Sequence, residues 1–70
     1  MFDYSKLRGR IVEKYGSQLN FAKALGKAEQ TVSAKLNNTV GLTRQDIITW
    51  SELLEISECD YGAYFFCKVD

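Results

Sequence analysis

The sequence predicts an all-α protein, a compact bundle of about five short helices that contains a helix-turn-helix, with room for a C-terminal strand or extended tail. Two observations carry that expectation. Apolar residues recur three and four apart through most of the chain, the spacing that places side chains on one helix face. Proline is absent and there are only five glycines, and two of those, Gly16 and Gly26, fall where an apolar pattern stops. Seventy residues with 46% hydrophobic and 13% aromatic content suffice for one core of modest stability, so a single domain over 1–70 is expected.

The first helix is expected over 2–15. Tyr4, Leu7, Ile11 and Tyr15 form its apolar stripe and Val12 widens it. Asp3 is its candidate N-cap and Gly16 its terminator. Lys6, Arg10 and Lys14 make a basic row along one side. Such a row is either a solvated face or, beside a nucleic-acid-binding motif, a source of phosphate contacts.

Residues 18–37 hold two shorter helical patterns separated by one glycine. Ser17 caps the first, in which Phe21, Ala22 and Leu25 form a narrow apolar face. Gly26 then supplies the positive φ that ends it. The second, over 29–37, sets Val32 and Leu36 four apart on one face. Ala22 is small enough for two helices joined by a tight turn to pack at a steep angle. Alanine, glycine four later and valine six further on is a helix-turn-helix spacing.

This stretch resembles the helix-turn-helix of the Cro/CI-like family of phage and bacterial transcriptional regulators, strongly over about twenty residues and more loosely over 15–56. Two positions depart from the family pattern. Lys27 stands where an apolar residue is usual, and Ala28 stands where Ser or Thr usually caps the second helix. An alanine cap costs on the order of 1 kcal/mol, which Glu29 partly offsets through the helix dipole.

The resemblance implies that the second helix enters a DNA major groove and presents Ala28, Glu29, Gln30, Ser33, Ala34 and Asn37 to base edges. Gln reads adenine, Glu accepts from cytosine and alanine methyls touch thymine. It also implies phosphate contacts from Gln18 at a helix N-terminus, from Lys27 and Lys35 flanking the reading face, and from Asn38, Thr43 and Arg44 after it. Glu29 is an unusual member of such a face, because phosphates repel it unless it is aimed at a base.

After the second pattern, Asn37 and Asn38 tolerate the left-handed conformation and Gly41 pivots a loop. Thr43 to Asp46 is a capping-box pattern opening a fourth helix, with Ile47, Trp50 and Leu54 facing inward and Ile48 and Leu53 flanking. Ser57 to Asp60 repeats the capping pattern, so a fifth helix is expected to start at Glu58. Tyr61, Tyr64, Phe65, Phe66 and Val69 follow, some to close the core and some available for a homodimer contact. Periodicity leaves 63–69 open between helix and strand.

Net charge is zero but polarised. Between Ser5 and Arg44 eight basic residues face two acids, a net of +6; from Gln45 to Asp70 one faces six, a net of −5; Asp3 completes the balance. Cys59 and Cys67 are the only cysteines and histidine is absent, so no zinc spacing arises. Free thiols packed as small apolar groups are expected. No membrane span, signal peptide, cofactor motif or catalytic constellation is visible, and the expectation is a cytoplasmic protein that is neither an enzyme nor a cofactor carrier.

Two functions follow. One is a regulator that binds a double-stranded DNA operator as a dimer and occludes a promoter. That is the leading reading; the alternative is an antirepressor-type module that keeps the fold but binds a repressor protein, supported by overall neutrality, by Glu29 in the reading face and by the acidic tail.

Overall fold

In the computed structural model, which describes residues 2–68, five α-helices pack around one hydrophobic core. They are α1 (Ser5–Tyr15), α2 (Gln18–Leu25), α3 (Glu29–Leu36), α4 (Arg44–Leu54) and α5 (Tyr61–Phe65), the last preceded by a 3₁₀ turn over Glu58–Asp60. No sheet forms among the described residues; an isolated antiparallel bridge pairs Phe2 with Lys68. The chain is therefore all-α.

Local chemistry sets most of the boundaries. The Ser17 side chain accepts the Asn20 N–H and opens α2. Gly26 ends it at φ 73°, in the left-handed region, and the N–H groups of Gly26 and Lys27 return to the carbonyls of Lys23 and Ala22. Thr43 and Asp46 form a reciprocal capping box at the start of α4. Asn38 takes φ 63° after α3. Ala28 caps α3 with extended backbone and no side-chain bond, so the weak start read from the sequence is present in the fold.

The core brings together Tyr4, Leu7 and Ile11 of the first segment, Phe21 and Ala22 of α2, Val32 and Leu36 of α3, Trp50 and Leu54 of α4, then Ile56 and Phe65. Phe21 meets Trp50 edge-on with ring centroids 5.0 Å apart. Ala22 is 1% exposed beneath the α2–α3 crossing, where a small side chain is required.

Several details differ from the sequence reading. Helix α1 begins at Ser5, with Tyr4 in the cap position; Asp3 lies one residue earlier, and its carboxylate accepts the N–H and hydroxyl of Ser5. Val12 is 56% exposed and does not widen the buried stripe, because Leu7 and Ile11 already fill the contact with the core. Ile47 is half-buried at the core margin. Glu58 opens a 3₁₀ turn and not an α-helix, and the Ser57 hydroxyl bonds the Asp60 carboxylate in place of a backbone cap. The segment after Ala63 is helical to Phe65 and reaches only the single bridge at Lys68; Val69 lies outside the described residues. Cys59 and Cys67 are exposed thiols and take no part in the core. None of the described helices is long and apolar enough to cross a membrane.

Ala22→Leu should therefore force α2 and α3 apart. The expected loss is about 1–3 kcal/mol, read as a lower urea midpoint, while Ala24→Leu on the exposed side of the same helix should leave the midpoint nearly unchanged.

Candidate functional site

The α2–turn–α3 pair presents the N-terminal end of α3 to solvent. Ala28, Glu29 and Gln30 in its first turn are exposed, and Glu29 makes no ion pair among the described residues. The C-terminal half differs. Ser33 and Ala34 are half-buried, and the Ala34 carbonyl accepts N–H groups from Thr39 and Val40. Asn37 is exposed, but its side chain is held at both ends: Oδ1 accepts from the Arg8 guanidinium at 2.6 Å and Nδ2 donates to Ser33 Oγ at 3.3 Å. The six residues read as base-contacting thus divide into a free N-terminal trio and a C-terminal trio engaged within the fold.

The six residues read as phosphate-contacting divide in the same manner. Gln18 is half-buried, and Lys27 and Arg44 are exposed; none of the three side chains has a hydrogen-bond partner among the described residues. Lys35 instead reaches across to α4, with Nζ 2.5 Å from Asp46 Oδ2, and the two side chains are only 16% and 21% exposed. Asn38 grips the N-terminal segment, accepting the Phe2 N–H at 3.1 Å and donating to the Phe2 carbonyl at 2.8 Å. The Thr43 hydroxyl accepts the Asp46 N–H of its own helix.

The basic residues of α1 are partly engaged within the fold, with Lys6 and Lys14 exposed and Arg8 and Arg10 half-buried. Arg10 donates to the Leu54 and Glu55 carbonyls at the end of α4 and pairs with Glu13. Lys14 pairs with Glu55. Arg8 donates to the Leu36 carbonyl at the end of α3, and Lys6 lies 4.9 Å from the Tyr64 ring centre. Cations at helix C-termini meet the negative end of the dipole and the unpaired carbonyls there. These partners were not legible in the sequence, since Arg8 and Leu36, or Arg10 and Leu54, are brought together only by the tertiary fold.

Electrostatics fixes the pair between α3 and α4. Burial alone would raise the Asp46 carboxyl. The hydrogen bond from Lys35, those from the Thr43 backbone and hydroxyl, and the Lys35 charge outweigh it and hold the group below its ordinary value. At the other end of α4, the hydrogen bond and charge of Lys14 lower the Glu55 carboxyl, with Arg10 contributing.

The aromatic tail leaves Phe66 half exposed, edge-on to Phe2 at 6.0 Å. Tyr64 and Tyr61 are partly buried against the core and Phe65 is fully within it. Among the described residues no group of acids and cysteines has the arrangement of a metal site.

A family model described as "Protein of unknown function (DUF739)" matches residues 1–68. No curated protein matches the chain. Among solved structures, the chain is similar to the solution structure of the modulator of repression of the temperate bacteriophage TP901-1 from Lactococcus lactis. The two are 46% identical with a TM-score of 0.84, over 93% of this chain and 88% of that one.

The lowered Asp46 carboxyl carries a pH signature. Its contribution to stability is complete above the ordinary carboxylate value and is lost as pH falls through the lower folded value. The difference in urea midpoint between the unmodified chain and Asp46→Asn should be largest near neutrality and shrink on acidification. A difference constant with pH would place the effect in shape and not in charge.

Proposed function

The chain belongs to the DUF739 family, and we propose that it modulates repression by binding a repressor protein through the exposed first turn of α3. The likeness to a phage modulator of repression over 93% of this chain supports the reading. The observation that carries it is the charge of the α3 surface. Its exposed acid, Glu29, is unpaired among the described residues, while Lys35, which would flank it on DNA, is committed to Asp46.

A duplex presents about one negative charge per 1.7 Å, and its affinity for a protein rests on cations free to displace counterions. Lys27 and Arg44 are the only two exposed cations without partners among the candidate phosphate contacts. An operator-reading role for Ala28, Glu29 and Gln30 would place Glu29 against phosphate with little compensation. A repressor offers the complementary chemistry, since the surface it turns to DNA is basic. Glu29 pairs there with an Arg or Lys, Gln30 adds a hydrogen bond, and Ala28 allows close approach. Binding that surface competes with the operator. The protein acts in the cell where that repressor works, and the reading includes neither a catalytic role nor a cofactor.

Glu29→Gln separates this function from operator binding. In calorimetric titration with a phage repressor protein that the unmodified chain binds, the variant should bind about five- to tenfold more weakly, as expected for a lost interfacial charge pair. Double-mutant coupling with one basic residue of the repressor should account for most of the loss. Unchanged repressor affinity together with altered base preference on an operator would overturn the proposal in favour of DNA reading.

A further inference from the structure

Asp46 occupies two roles with one carboxylate. As the third residue of α4 it accepts the Thr43 N–H at 2.9 Å, closing the capping box, and the same Oδ2 receives Lys35 Nζ at 2.5 Å. A surface ion pair ordinarily exchanges with water and holds a lysine loosely. This one differs because the acid is anchored. Rotating Asp46 away from Lys35 also opens the capping box, and both side chains are largely sequestered between α3 and α4. Lys35 lies in the last turn of α3, on the side facing α4, so its ammonium is drawn from the helix surface towards the neighbouring helix.

We infer that Asp46 is a specificity-determining residue that keeps the α3 surface from binding nucleic acid by holding Lys35 within the fold. The inference goes beyond repressor recognition: it concerns why a chain of this shape does not take the duplex as its ligand. Lys35 and Asp46 lie at the opposite end of α3 from Glu29, so the two sites are separable by substitution. Discrimination between two macromolecular partners then comes from an internal acid that removes an attractive contact with the wrong one.

Releasing Lys35 should add one phosphate contact. Each such contact steepens the dependence of log affinity on log salt by about 0.9, so a single one is worth roughly threefold between about 50 and 200 mM salt. The experiment measures fluorescence anisotropy of a labelled duplex of arbitrary sequence with the full chain and four variants, at several salt concentrations. Asp46→Asn retains an oxygen to accept the Thr43 N–H. Asp46→Gln, also favoured at the third position of a capping box, serves as a second uncharged form should the first unfold.

Both are expected to bind DNA at least about threefold more tightly than the unmodified chain at the lowest salt, with a slope steeper by about 0.9. Lys35→Ala alone should match the unmodified chain. In Lys35→Ala/Asp46→Asn the gain should disappear. Three results would overturn the inference: folded Asp46 variants with unchanged DNA affinity, a gain that survives in the double variant, or weaker binding by Lys35→Ala alone. The second would show that the gain does not come from Lys35, because the double variant has the net charge of the unmodified chain, and the third would show Lys35 already on the phosphates. Repressor titration is not part of the readout, so failure of this inference and failure of the repressor reading remain distinct.

Discussion

The carboxylate of Asp46 ties the end of α3 to the beginning of α4. Its bond to the Thr43 N–H helps set where α4 starts, and its bond to Lys35 links α3 to that start. Trp50 and Leu54, one and two turns further along α4, are set by that start and reach Phe21 and the rest of the core. The interaction is local in sequence on one side and eleven residues distant on the other. It thereby converts a helix cap, an ordinary device for satisfying backbone donors, into a tertiary clamp.

Helix α1 applies the same principle to the other ends. Arg8 closes the C-terminus of α3 at the Leu36 carbonyl, and Arg10 closes that of α4 at the Leu54 and Glu55 carbonyls. Lys14 steadies Glu55, which sits at φ 56° as α4 terminates. The basic half of the sequence is in this way employed against helix dipoles and against acids of the other half. Part of the charge polarity is thus engaged within the molecule, while Lys23, Lys27 and Arg44 stay exposed without a partner among the described residues. The first turn of α3 carries one acid, Glu29, with no internal partner among the described residues.

Much of the fold was legible because its determinants are short-range. Ser17, Gly26 and the Thr43–Asp46 box act over three or four residues, and Ala22 with Val32 and Leu36 obeys simple spacing. The errors fall where several local signals competed. Val12 satisfies helical periodicity yet faces outward, since a helix at the margin of a small core buries only a narrow stripe. Ser57 and Asp60 have the capping spacing but bond to each other, which leaves a 3₁₀ turn. At the site, the sequence identified which residues share the α3 surface but not which of them are free. Lys27 and Lys35 read alike as flanking cations; only the approach of α4 distinguishes them, and that is a property of the tertiary structure.

Beside α3 the chain offers a duplex few free cations. The most direct measurement is the salt dependence of DNA association for the unmodified chain, by anisotropy between about 50 and 200 mM salt. With Lys27 and Arg44 alone free among the candidate contacts, weak binding with a log–log slope of about two or less is predicted. A slope of about five or more, the mark of a full phosphate clamp, would contradict it.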